Sequence, residues 1–358
     1  MNQNSDVVLI ESAERLFADL SANSFRSALK LGDPIPISDI WQRIEEFGIS
    51  SLLVPEQAGG FGGTWSTAEK VIRRVGYHAL PIPVGETMLV CGLLSRAGVQ
   101  PPSGPLSIGI STDGHLRTGS HTAPTRLTGE IPHVPWGRWA QCVLIELAAV
   151  GEPRRHVIVD KSEMCLLKQG SNIAGEPRDS LILSDARATV VQLESERLLN
   201  LGAFIRVAQI AGALECALAL SAQHVNERFQ FGRPLAQFQA IQQQLALLAE
   251  ETSACGCAAM AAAAAIDYGE CTFEIAAAKS RANLAIARGV PVAHQCHGAI
   301  GMTMEHALQR STRRLWSWRA EFGNDHYWAQ WLGEYARRRG DQSLWSLLTE
   351  RSDRLSSN

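Results

Sequence analysis

In the last third of the chain, reactive side chains gather at three places. The segment NERFQFGRPLAQFQAIQQQLA (226–246) puts Arg228 just before a Gly232-Arg233-Pro234 turn and several glutamines just after it. An arginine there offers a planar, bidentate donor suited to phosphate oxygens. The segment QCHGAIG (295–301) sets Gln295, His297, Gly298 and Ala299 in one short loop, and glycine lets a backbone approach an anionic ligand closely. Further on, Glu321 stands beside Phe322 and Gly323; a carboxylate in a dry pocket can take a proton from carbon. Two other groupings have plainer readings. Cys255, Cys257, Cys271 and His294 could be imagined around a metal, but a two-residue offset puts Cys255 and Cys257 on diverging helix faces, and buried small residues are the preferred reading. Arg310, Arg313 and Arg314 share a helical face that could meet a phosphate, and a solvated or salt-bridged stripe is the commoner use of such a face.

The elements that must position these groups are helices. From about 195 the apolar period is helical over 195–229, 233–268, 273–299 and 303–339, with short Gly- or Pro-marked breaks. Four such helices pack as a bundle. The run CGCAAMAAAAAID (255–267) is alanine-rich enough to lie against a neighbouring helix or subunit. Trp316, Trp318, Trp328 and Trp331 are too closely spaced to share one face, so some are expected at a subunit contact.

Earlier in the chain the texture differs. Residues 1–100 alternate helical stretches such as STAEKVIRRVGYHAL with the turn-rich insert VPEQAGGFGGTW. Residues 101–192 carry short β-prone runs, LSIGIS, CVLIEL, HVIVD and LILSDARATVVQL, as expected of a small antiparallel sheet or barrel. The reading is an α+β chain, mainly α: an N-terminal helical domain (1–100), a middle β domain (101–192), a C-terminal four-helix bundle (193–345) and a frayed tail (346–358).

Composition removes several functions. With Lys+Arg 33 against Asp+Glu 36 and a net charge of -3, no global field draws in nucleic acid or an anionic membrane. No apolar run approaching a membrane span of roughly 20 residues is expected, nor an N-terminal targeting segment, which reads as cytoplasmic. The eight cysteines lack paired spacing and read as reduced thiols.

The first segment resembles the acyl-CoA dehydrogenase signature: an Arg, a polar residue, Phe and Gly, then a helix bearing Phe-Gln and a further Gln. QCHGAIG resembles that family's Gln-x-x-Gly-Gly-x-Gly loop, with Ala299 in place of the second glycine, which a negative φ would permit. LLVPEQAGGFGG (52–63) is similar to the family's early Val-Pro-Glu and Gly-Gly-x-Gly turn. The resemblance implies FAD as cofactor, an acyl-CoA thioester as substrate and an electron-transferring flavoprotein as acceptor. It also implies that Arg228, Gln230, Phe231, Gln295, His297, Gly298 and Ala299 contact the dinucleotide across a subunit interface.

The chain also departs from the family. The middle region lacks the Gly-Ser-Asp and Trp-Ile-Thr runs that hold the flavin ring; Thr112, Trp136 and Trp139 are nearby, and such aromatics more often serve a core. The family's catalytic glutamate aligns with Phe322, and its minority position with Gly202. Glu321 is one residue away and is either the base after a register change or a surface residue pairing with Arg319 or Arg314. Kept flavin motifs with a lost base resemble the smaller subunits of heteromeric bacterial acyl-CoA dehydrogenases that act on steroid side chains and other bulky thioesters. The expectation is a hetero- or homo-oligomer, dimer or tetramer, in which a homologous subunit supplies the base. A self-sufficient enzyme using Glu321 and a flavin-free scaffold are the alternatives.

Overall fold

The computed structural model describes residues 3–31, 37–111, 116–118, 125–148, 154–164, 166–193, 197–338, 345–346 and 349–351. Thr112 lies outside them. The chain divides into two compact units, one formed by residues 1–64 and 80–202 and the other by residues 65–79 and 203–358.

The first unit begins with helices α1 (Gln3–Leu31) and α2 (Ile37–Glu46). In α2, Ile40, Trp41 and Ile44 are buried, the one-sided spacing of an amphipathic helix. The VPEQAGGFGG segment turns tightly: Gly59 and Gly62 have φ of 85° and 60°, a conformation that glycine adopts without steric cost. Helix α4 (Val84–Arg96), which follows α3 (Trp65–Tyr77) in the chain, is buried from Val84 to Leu94.

Seven strands follow: β1 (Leu106–Ser111), β2 (Leu116–Thr118), β3 (Thr125–Pro135), β4 (Cys142–Leu147), β5 (Arg155–Asp160), β6 (Leu166–Lys168) and β7 (Arg178–Val191). They form one sheet in the order β1-β4-β5-β7-β3-β2, with β6 also on β7. The sheet is not wholly antiparallel, because β1 and β4 pair in parallel; the chain runs out through β2 and β3 before returning in the same sense. Leu127, Ile131, Val143, Ile145, Val157, Val159, Leu181 and Leu183 fill its core. Trp136 is buried and stacked on the half-buried Trp139, with ring centroids 5.2 Å apart. Glu146 accepts a hydrogen bond from the Leu198 amide at 2.6 Å, which satisfies one orphan donor at the start of the next helix.

The second unit is helical: α3 (Trp65–Tyr77), α5 (Leu198–Glu227, from Ala203 onward), α6 (Gln239–Tyr268), α7 (Thr272–His297), α8 (Leu308–Ala320) and α9 (Asp325–Arg338). The fourth expected long helix is therefore two. Phe322 and Gly323 take φ of 53° and 96°, which ends α8. Helix α3 approaches α5 closely: a Cβ on Gly212 would meet the Tyr77 amide at 2.7 Å. Asp267 accepts from Trp65 N (2.7 Å), Ser66 N (3.0 Å) and Ser66 Oγ (2.7 Å), capping α3 from the far end of α6. The alanine-rich run buries Cys255, Ala259, Ala262, Ala263 and Ala265, while Cys257 is exposed.

Three sequence expectations change. Both α5 and α6 contain stretches long and apolar enough to cross a membrane by length and composition, but 72% of the α5 stretch is buried inside the protein, so its apolarity serves packing. Trp318 and Trp328 bury within the chain itself. The tail is not frayed at Arg351, whose guanidinium donates to both Glu274 oxygens at 2.6 and 2.7 Å.

Candidate functional site

Helix α5 ends one residue before Arg228, and a two-residue ladder of β8 (Phe229–Gln230) and β9 (Arg233–Pro234) makes a hairpin there. Its tip residues, Phe231 and Gly232, have φ of 52° and 81°, the double-positive pattern of a tight hairpin. Phenylalanine is an uncomfortable occupant of that conformation. It nonetheless stands 89% exposed, touching Phe238 edge-on at 6.1 Å. Arg228 and Gln230 are exposed beside it. Their side chains make no hydrogen bond among the described residues.

The second loop follows α7. Gly298 has φ 65° and ψ -150°, a region only glycine enters readily, and nothing lies within 4 Å of where its Cβ would sit. Ala299 is absent from the positive-φ residues, which explains why alanine is tolerated where the family has glycine. Gln295, Gly298 and Ala299 are exposed, whereas His297 is buried. The His297 imidazole bonds through Nδ1 to Ala293 O at 2.8 Å. Its ring stacks on His224 and meets His306, with centroids 4.7 Å away in each case. Neither His224 nor His306 stood out in the sequence, since one ends a helix and the other lies beyond the loop.

Glu321 sits where α8 breaks. Its carboxylate accepts from Arg206 Nε at 2.6 Å, with side-chain exposures of 16% and 1% for Glu321 and Arg206. Arg206 also donates to Gln209 at 2.7 Å and lies over the Phe322 ring at 5.3 Å. The expected partners are otherwise engaged: Arg319 pairs with Asp325 at 2.5 Å, and Arg314 is buried and donates to Arg310 O at 3.0 Å. Burial, with Arg314 adding to it, pushes Arg310 down to about 10, so of the two expected uses of this face, solvated or salt-bridged, the solvated one does not describe Arg310 and Arg314. Behind the break, Lys279 Nζ donates to Trp318 O, Arg319 O and Asn283 Oδ1, each at 2.9 Å. Burial pushes Lys279 down to about 7 against the opposing pull of Glu321. Gly202, the other position considered for a base, lies in α5 and offers no side chain.

Residues 193–331 match the model of the acyl-CoA dehydrogenase C-terminal domain, the stretch that carries both exposed loops and Glu321. This region is similar to the C-terminal domain of acyl-CoA dehydrogenases. Among curated relatives, acyl-CoA dehydrogenase FadE34 of Mycobacterium tuberculosis is 27% identical over 77% of this chain, which spans 40% of that longer protein. Acyl-CoA dehydrogenase IpdE2 of Mycolicibacterium smegmatis is 25% identical over 77% of this chain and 81% of its own length. The whole chain has the acyl-CoA dehydrogenase fold. It superposes on the ChsE4-ChsE5 complex from Mycobacterium tuberculosis with TM-score 0.84 at 19% identity, covering 96% of this chain and 99% of that one. A Tcur3481-Tcur3483 steroid ACAD variant gives TM-score 0.84 at 21% identity, covering 95% and 99%.

Proposed function

We propose that this chain is a subunit of an FAD-dependent acyl-CoA dehydrogenase and completes a flavin site shared with a homologous partner. One observation carries the reading: the residues that match the family's dinucleotide motifs, Arg228, Gln230, Phe231, Gln295, Gly298 and Ala299, are all exposed on one unit of this chain. A dinucleotide fits them chemically. Arg228 can grip a pyrophosphate with two parallel donors, the open backbone at Gly298 can approach it, and Gln295 and Gln230 can bond polar edges while Phe231 covers an apolar one.

When bound, FAD supplies the acceptor for the hydride that leaves the acyl β-carbon. Removing the α-proton needs a carboxylate free to take it. Glu321 is engaged by the buried Arg206 guanidinium and would have to release it first, which supports placing the base on the partner. The relatives' names support an acyl-CoA substrate, and the steroid ACAD among the structural neighbours supports a bulky acyl group. An electron-transferring flavoprotein as acceptor, a dimer or tetramer, and a cytoplasmic setting complete the proposal.

The test is purification of the chain alone and with candidate homologous partners. Stoichiometric FAD and acyl-CoA desaturation are expected only in the joint preparation; a yellow, active single-chain preparation would sink the shared-site reading. The self-sufficient alternative has one observation in its favour, the position of Glu321 at the helix break, one residue before Phe322, where the family's base would align. A colourless joint preparation would favour a flavin-free scaffold.

A further inference from the structure

We propose that His224, His297 and His306 bind one divalent transition-metal cation of the zinc class. One ring nitrogen from each lies within 4.8 Å of the other two, and no other group of three or more His, Cys, Asp or Glu side chains among the described residues is so arranged. His297 is 5% exposed. Its Nδ1 is taken by Ala293 O at 2.8 Å, which fixes the proton there and leaves Nε2 bare. That Nε2 is buried and makes no hydrogen bond of ordinary geometry, although the Leu220 backbone carbonyl also acts on the ring, and a buried ring nitrogen so poorly satisfied calls for a ligand. A histidine whose second nitrogen is tied to a backbone carbonyl is the usual arrangement of a metal ligand.

The donor set decides the ion. Three imidazoles with no carboxylate or thiolate among them favour zinc and its late first-row neighbours over magnesium or calcium, which take oxygen. Zinc–nitrogen bonds of about 2.0–2.1 Å put tetrahedral ligand atoms roughly 3.3 Å apart, so the cluster needs to contract by at most about 1.5 Å. His224 and His306 are only partly buried and are free enough to make that rotation. His306 has a local cost: its Nδ1 accepts the Leu308 amide at 3.1 Å, so coordination through Nε2 exchanges that bond for the metal and moves the ring proton to Nδ1.

Once bound, the cation ties together the end of α5, the end of α7 and the loop leading to α8, the three segments that frame Arg228 and Gln295. Its fourth position stays open to water or an anion.

Zinc and cobalt titrations of the full chain test this. Calorimetry at pH 7.5 should give one zinc ion per chain. Cobalt should give tetrahedral visible bands without the thiolate charge-transfer absorption that a cysteine site would add. His224→Ala and His306→Ala, each checked for intact circular dichroism, should weaken zinc at least tenfold. Absence of saturable zinc binding to the wild type would overturn the proposal, as would equal affinity in the double variant His224→Ala/His306→Ala.

Discussion

Arg206 is 1% exposed, and a buried guanidinium without its carboxylate is among the more expensive defects a core can carry. Glu321→Gln should therefore cost about 1–3 kcal/mol of stability, read as a lowered denaturation midpoint. Turnover of the assembled enzyme should stay within about twofold if the base lies on the partner. A loss of a hundredfold or more with FAD absorbance intact would move the base into this chain. Arg228→Met should leave the fold unchanged and weaken FAD binding by the assembly about ten- to a hundredfold, the worth of a charged bidentate contact; equal flavin content after dialysis would remove Arg228 from the site. The exposed turns that hold Arg228, Gln295 and Gly298 were legible in the sequence because residue type and short-range spacing mark them. The partner of Glu321 was not, because Arg206 lies 115 positions away and nothing local distinguishes it from any other helical arginine.

At the scale of elements, the break between α8 and α9 is held from outside by Lys279, whose amine satisfies the last carbonyls of α8. Burial brings that amine to about 7 from 10.5. Between those values the unfolded chain binds a proton that the folded chain does not, so stability from this group rises as pH climbs through the window and is lowest below it. Urea unfolding from pH 7 to 10 should show that rise, and Lys279→Met should flatten it while lowering stability throughout; an unaltered slope would dissociate the trend from Lys279. The break also marks a limit of sequence reading, since the helical period continues across Glu321–Asn324 and only backbone conformation interrupts it. Strand β3 escaped for the opposite reason. Its Gly129, Pro132 and Pro135 look like loop punctuation, yet the strand accommodates them through register shifts at Leu127/Gly129 and Ile131/Val134. The four runs rich in Val, Ile and Leu that became β1, β4, β5 and β7 hold no proline and a single glycine, Gly109.

For the molecule as a whole, the helix–sheet–helix texture was readable because each period persists over many residues. The division into units was not, because it cuts across chain order. Helix α3 belongs with α5 and α6, held by the contact between Ser66 and Asp267, 201 positions apart. Asp267→Asn should weaken that cap by about 1 kcal/mol, and hydrogen exchange should show the loss first in the opening turn of α3; uniform protection would refute the link. The same long tether reaches into synthesis. On a ribosome α3 emerges with its apolar face bare and must wait for the far end of α6 before it can be covered, an arrangement of non-local contacts that slows folding and leaves the nascent chain sticky. A fragment beginning at residue 193, although it holds every exposed flavin-motif residue, would lack the helix that fits against Gly212 and should prove hard to express in soluble form.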